Sequence, residues 1–225
     1  MTPEENHLLT RVENGAPMGQ MLRENYWFPA VIDEKLVADG APVGFRLLGE
    51  NFVAFRSTDG RVGVFDEHCP HRRASLLLAR NEDNALRCLY HGWKFSVDGK
   101  VVEVPTEPNN QTDFCKGVPL KWYPTREAAG IVWVWLGAGE PKRFPDFEFN
   151  TCPPDRVYSI HQRVGCNWVQ DCEGGLDSAH VSMLHYEHLK GLNLGAAAGD
   201  FAPVYEFEMQ QAGYRYAALR NMPDG

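Results

Sequence analysis

Two groups of residues in this chain have the types and spacing that metal chemistry requires. The first is Cys69-Pro-His71, followed after sixteen residues by Cys88-Leu-Tyr-His91, a C-x-H-x16-C-x2-H pattern. Thiolate sulfur and neutral imidazole nitrogen are the ligands that zinc and iron centres favour. Two of each could hold one tetrahedral zinc. The single residue inside the first half departs from the usual C-x2–4-C zinc knuckle. Each half supplies one Cys and one His, which also suits a centre with two unlike metal positions. The second half runs on into Gly92-Trp93-Lys94-Phe95, an aromatic turn able to shield a redox centre. His68 precedes Cys69 and reads as a bystander.

The second group is Asp177-Ser-Ala-His180-Val-Ser-Met-Leu-His185, a D-x2-H-x4-H pattern in a stretch that reads as helical from Asn167 to about Leu189. Five steps along an ideal helix turn a side chain by about 140°. Both imidazoles can therefore meet one metal only where the helix is bulged, tightened or ending, as often happens at functional sites. Gly174-Gly175 just upstream makes such an irregularity easier. The plain alternatives are a pair of core histidines and a solvated aspartate.

These groups must be positioned by a fold. The chain has 225 residues, 44% apolar and 23% charged, and with 22 basic against 30 acidic side chains its formal net charge is −8. That composition is globular, and its acidity argues against a nucleic-acid partner. The longest strongly apolar run, Ile131 to Leu136, is too short to cross a bilayer, and the acidic N-terminus has no basic start or apolar stretch of a secretory signal. The reading is a soluble, cytoplasmic protein. Six cysteines do not make a disulfide scaffold in a reducing compartment; Cys115, Cys152, Cys166 and Cys172 read as buried small hydrophobes.

Thr2-Pro-Glu-Glu5 carries a capping box that opens a helix to about Thr10, with a second helix over Met18–Glu24. From Val43 the pattern turns to period two. Strands are expected at Gly44–Leu48, Phe52–Arg56, Val62–Phe65, Ala85–Tyr90, Trp93–Val97, Val101–Val104 and Ile131–Leu136, with hairpin signals at Asp59-Gly60 and Asp98-Gly99. A proline-rich stretch, Pro141 to Pro154, is followed by an expected strand over Arg156–Gly165 and, further on, by a pair at Val204–Met209 and Tyr214–Arg220. The fold class is α+β, in three parts: a helical segment over 1–42, an antiparallel β domain over 43–150, and over 151–225 the start of a mixed helix and sheet domain. The turn residues Met222-Pro-Asp-Gly225 lead toward a strand that is not present, and the sequence reads as the N-terminal part of a longer polypeptide.

Cys69-Pro-His-Arg-Arg and Cys88-Leu-Tyr-His-Gly-Trp resemble the two ligand loops of the Rieske domain in Rieske non-haem iron ring-hydroxylating oxygenases. The resemblance implies a [2Fe–2S] cluster with Cys69 and Cys88 on one iron and His71 and His91 on the other. Imidazole in place of thiolate raises the reduction potential. The D-x2-H-x4-H pattern resembles the same family, in which His180 and His185 would bind mononuclear Fe(II) as part of a 2-His-1-carboxylate site. The third ligand, a carboxylate, is expected beyond Gly225; Glu187, Asp200, Glu206 and Glu208 do not lie at the family's separation. Asp177 would act as the electron-transfer bridge from a mononuclear-iron histidine to a cluster histidine of the neighbouring subunit.

Asn6-His-Leu-Leu-Thr-Arg11, Pro17-Met-Gly-Gln and Tyr26-Trp-Phe-Pro-Ala30 are similar to the phthalate dioxygenase group of that family. This likeness implies a homotrimer or homohexamer fed by an NADH-dependent reductase carrying FMN and its own [2Fe–2S] cluster. It also implies O2-dependent cis-dihydroxylation of an aromatic acid, phthalate to its 4,5-dihydrodiol. Related members demethylate vanillate or act on phenoxybenzoates, and a Rieske electron carrier without catalysis is a further alternative. A dicarboxylate calls for arginine forks; Arg215 and Arg220 lie in the right region, although structural or surface ion pairs are the simpler reading for both.

Overall fold

The structure, a computed structural model, describes every residue except 108, 110, 119, 191–198, 212 and 222–225. It divides into two compact units, Met1–Arg163 and Val164–Gly225. Among the described residues no helix is long and apolar enough to cross a membrane.

In the first unit the capping box forms as expected: Thr2 Oγ1 accepts from the Glu5 amide and Glu5 Oε2 accepts from the Thr2 amide, opening α1 (Pro3–Thr10). Helix α2 (Pro17–Asn25) follows. Three antiparallel sheets and a short helix, α3 (Gln111–Gly117), make most of the rest of the unit. One sheet has the order β1 (Trp27–Ile32), β10 (Ile131–Trp135), β9 (Thr125–Ala128); a second is β2 (Val43–Leu47), β3 (Glu50–Arg56), β4 (Val62–Asp66). The third joins β5 (Arg80–Glu82), β6 (Ala85–Arg87), β7 (Lys94–Ser96) and β8 (Val101–Glu103).

The run Phe52-Val-Ala-Phe55 explains why the β2–β3–β4 sheet sits in the middle. All four residues are fully buried. Alternation along the strand sends Phe52 and Ala54 into one core with Val31, Val64, Tyr123, Val132 and Val134,. Val53 and Phe55 enter a second core with Phe65, Leu86, Trp93, Phe95, Cys69 and Cys88. A strand apolar at every position is thus one buried on both faces. The second core is the one that matters for the chemistry, because both cysteines belong to it. The two hairpin signals also hold. Gly60 (φ +88°) and Gly99 (φ +75°) each close a turn by donating to the residue three back, Ser57 and Ser96 respectively,.

Two elements differ from the sequence pattern. Strand β1 lies upstream of the period-two region; Pro29 interrupts its apolar run, yet the strand pairs with β10 through a register shift between Pro29 and Val31. The strand expected over Arg156–Gly165 does not form. A short 3-10 turn covers Pro154–Arg156 and irregular backbone follows. Its apolar residues Tyr158, Ile160 and Val164 are exposed, so no partner surface stabilises the extended chain,.

The second unit contains α4 (Trp168–Leu176), α5 (Val181–Leu184), α6 (Tyr186–Lys190) and the hairpin β11 (Val204–Gln210), β12 (Gly213–Leu219). The mainly helical stretch expected over Asn167–Leu189, with an irregularity near its histidines, forms as three short helices.

Candidate metal centres

The two cysteine loops are built alike. The Cys69 amide donates to the Ala74 carbonyl at 2.9 Å and its carbonyl accepts from the Arg73 amide at 2.9 Å; the Cys88 amide donates to the Trp93 carbonyl at 2.8 Å and its carbonyl accepts from the Gly92 amide at 3.0 Å. The offsets are the same in both loops. At the fourth residue after each cysteine the backbone is left-handed, Arg73 at φ +55° and Gly92 at φ +74°. These turns point both thiols inward and lift His71 and His91 to the rim. The cysteines are buried, the histidines half-buried.

Burial, with the neighbouring Cys88 thiol adding to it, pushes the Cys69 thiol up to about 11. A metal must displace that proton, so loading releases protons and is favoured as pH rises. The rings of His71 and His91 are 4.6 Å apart. Desolvation, with the neighbouring His91 and Arg72, holds His71 below the usual imidazole range, which keeps it neutral and able to ligate,. Its Nδ1 is buried without a hydrogen-bond partner, an uncommon and costly state for a polar atom that a metal relieves. Trp93, from the second loop, stacks on His71 of the first at 4.5 Å and 2° and donates to Thr106 Oγ1 at 3.1 Å, locking the loops together. Arg87 ties the Gly92 carbonyl (2.9 Å) to Glu103 (2.7 Å) and Glu82 on the same sheet.

This donor set fits a [2Fe–2S] cluster: a thiol pair inside, an imidazole pair outside. A tetrahedral zinc would need all four donors around one ion. Among the described residues no group of three or more His, Cys, Asp or Glu converges on one ion-sized point. The left-handed positions carry a prediction. Gly92→Ala brings a Cβ to 3.2 Å from Pro105 Cγ on strained backbone and should cost about 1–2 kcal/mol,. Arg73→Gly removes the same strain at the matching position, partly offset by chain entropy, and should leave stability within about 1 kcal/mol of wild type. Denaturant unfolding of the two variants checks the contrast.

In the second unit His180 and His185 flank the single turn of α5: His180 caps its start (φ −61°, ψ −25°) and His185 its end (φ −107°, ψ 10°). Ending the helix at His185 is what brings residues five apart together, with ring centroids 5.4 Å apart. Asp177 Oδ2 lies 3.0 Å from His180 Nδ1, while Oδ1 accepts from the Ala179 amide at 2.8 Å. The Ala179 amide first, then His180, hold this carboxyl below the usual carboxylate range. It therefore stays charged at neutral pH and loses its charge only on strong acidification. An imidazole held at Nδ1 by a carboxylate presents Nε2 outward, the tautomer that a metal ligand needs. Asp177 keeps 45% of its side chain exposed, free to meet another group. On its other side a hollow of about 310 Å³ is lined by Leu176, Tyr205, Phe207, Tyr214 and Tyr216.

Several expectations change here. Among the described residues Arg220 closes no salt bridge: its hydrogen-bond partners are the carbonyls of Ser178 and Asp200 and the hydroxyls of Ser178 and Ser182. Its fork is spent on the chain itself. Arg215 is exposed on β12. Of the remaining cysteines, Cys115 is half-buried and Cys152, Cys166 and Cys172 are exposed, so their expected burial fails; all six thiols are free. Sequence reasoning also missed Tyr205, whose hydroxyl accepts from the Ser178 amide (3.2 Å) and donates to Asp177 Oδ1 (3.4 Å).

Comparison with known proteins agrees with both halves of this description. Residues 27–124 match the Rieske [2Fe-2S] domain, and residues 134–223 match the LigXa C-terminal domain-like family. The phthalate 4,5-dioxygenase oxygenase subunit of Pseudomonas putida is 46% identical, over 98% of this chain and 52% of that protein. The 3-chlorobenzoate-3,4-dioxygenase oxygenase subunit of Comamonas testosteroni is 40% identical, over 96% of this chain and 51% of that protein. The chain thus spans about half the length of these relatives. Among solved structures, the terminal oxygenase of carbazole 1,9a-dioxygenase from Novosphingobium sp. KA1 shares the fold, with a TM-score of 0.70 over 96% of this chain and 63% of that one at 23% identity. Dicamba monooxygenase, solved with non-heme iron and dicamba, is 28% identical with a TM-score of 0.51 over 59% of this chain and 40% of that one. The cofactors that go with this likeness are a Rieske [2Fe–2S] cluster and a mononuclear non-haem iron. From its paired cysteine loops to its Asp177-His180-His185 segment, the chain belongs to the Rieske non-haem iron ring-hydroxylating oxygenases and is similar to members of their phthalate dioxygenase group.

Proposed function

We propose that this chain is the Rieske-bearing part of the oxygenase component of an aromatic-ring dioxygenase acting on an aromatic carboxylate. Phthalate is the favoured substrate. The reaction joins phthalate, O2, NADH and a proton to give the 4,5-cis-dihydrodiol and NAD⁺, so that both oxygen atoms enter the ring and the pyridine nucleotide supplies the electron pair. The observation that carries this reading is the presence, in one chain, of a two-thiol and two-imidazole donor set and of a carboxylate-held histidine pair. A mere electron carrier has no use for the second.

Cys69, His71, Cys88 and His91 would hold the cluster, and His180 and His185 the mononuclear iron, with a carboxylate as its third ligand. The chemistry such a pair would supply is single-electron delivery from the cluster and O2 activation at the mononuclear site. Burial of the thiols keeps water from the inner edge of that centre, and the half-buried histidines form its outward edge. Asp177 fixes the His180 tautomer and, with its free face, would reach a cluster histidine of a neighbouring subunit. This makes the working enzyme a homo-oligomer, a trimer or stacked trimers. An NADH-dependent reductase carrying FMN and a [2Fe–2S] cluster would feed it electrons. Six free thiols fit a reducing, cytoplasmic setting,. Domain limits of 1–42, 43–150 and 151–225 belong to the same reading.

The test is O2 uptake and product analysis with the full-length protein, a phthalate-type reductase and NADH. Phthalate should give coupled O2 consumption and a cis-dihydrodiol. Formaldehyde from a methoxylated aromatic acid, with no dihydrodiol from phthalate, would move the assignment to the O-demethylases.

A further inference from the structure

A helical turn of four residues has no stability of its own, because nucleating a helix costs more than its first hydrogen bonds return. Yet α5 must hold that form for His180 and His185 to come together. Something outside the helix has to keep it there. The side chain in place to do so is Arg220, which follows β12. One arm of its guanidinium donates to the Ser178 carbonyl and, at 3.0 Å, to the Ser178 hydroxyl; the other donates to the Ser182 hydroxyl and, at 2.6 Å, to the Asp200 carbonyl. Ser178 and Ser182 stand two residues before and two residues after His180. Ser182 is 1% exposed and donates to the Asp200 carbonyl at 2.9 Å, so one point of the grip is fully buried. The neighbouring strand adds Tyr205, bonded to the Ser178 amide and to Asp177.

We propose that Arg220 is a positioning residue for the mononuclear iron: by gripping Ser178, Ser182 and the Asp200 carbonyl together, it holds the turn that starts at His180 and so sets the spacing of the two histidines. The inference rests on reading His180 and His185 as ligands. A planar fork with several donors is required, since lysine offers a single point of contact. The arginine itself touches neither metal nor substrate, so its action passes through the two serines.

The experiment is a double-mutant cycle in the full-length protein, stripped of mononuclear iron by a chelator that leaves the cluster colour in place. Fe(II) affinity is measured by competition for Arg220→Lys, Ser182→Ala and the double variant, with His180→Ala as the ligand control. Each single variant should weaken Fe(II) about 10–100-fold, the usual effect of removing a group that orients a ligand. The double variant should be no weaker than the poorer single one to within about threefold, because both changes break the same grip. The visible and EPR signals of the cluster should stay unchanged. Wild-type affinity in Arg220→Lys, or strictly additive losses in the double variant, would overturn the proposal. Fe(II) binding unimpaired in His180→Ala would instead remove the ligand reading itself, whatever the arginine variants do.

Discussion

Cys88→Ser is expected to yield a colourless protein with no acid-labile sulfide. The thiol is 3% exposed and shares one core with Cys69, Phe55, Phe65, Leu86 and Trp93, so no solvent ligand can take its place. Serine keeps the volume but offers a hard alkoxide of high pKa where a soft thiolate is needed. The inner iron would keep a single protein ligand, and cluster and turnover are lost together. Because cluster binding is coupled to folding of the two loops, thermal stability should fall as well. Cys115→Ser is the control. That cysteine packs at the edge of the same core, and its loss should leave colour, sulfide content and EPR signal at wild-type levels. A brown Cys88→Ser protein with full sulfide would show that Cys88 is not a ligand.

Asp177→Asn should leave both metal centres in place and remove most turnover. The amide oxygen can still accept from the Ala179 amide or from His180, so local geometry survives, but the negative charge does not. The carboxylate would stabilise the positive character of a metal-bound imidazole, and its charge persists at neutral pH because its folded-state pKa lies below the ordinary value,. Removing it should lower phthalate-dependent O2 uptake about 100-fold in the full-length enzyme with its reductase. The cluster EPR signal and the iron content should be retained. Single-turnover reduction separates the causes: a cluster that reduces normally but no longer discharges when substrate is added places the block at the bridge. Wild-type turnover in this variant would remove the bridging role.

What was legible in the sequence follows from where each constraint is written. Ligand loops are local. C-x-H and C-x2-H put each donor pair within a few residues, and the arrangement of those residues follows from one tight turn. The fivefold step from His180 to His185 already required a broken helix, and α5 ends where it must. The capping box and the two Asp-Gly turns are equally local, and they form. The failures are long-range. Arg220 acts on Ser178 from 42 residues away and Tyr205 on Asp177 from 28, and no short pattern announces either. Arg73 takes a left-handed backbone without the glycine that marks the position in the second loop. The apolar alternation around Val157–Val164 reads as a strand, but exposed residues with nothing to pack on do not make one. Burial of the four other cysteines was inferred from residue type alone, and three of them lie at the surface.

Two sulfurs and two imidazoles would hold a two-iron cluster in this chain. The most direct test of that ligation is a redox titration of the purified full-length protein followed by EPR, with acid-labile sulfide measured on the same sample. Sulfide in the ratio of a [2Fe–2S] cluster and a midpoint potential between about −150 and +300 mV are expected. A sulfide-free, zinc-bearing protein, or a midpoint near about −400 mV as for an all-cysteine cluster, would contradict it.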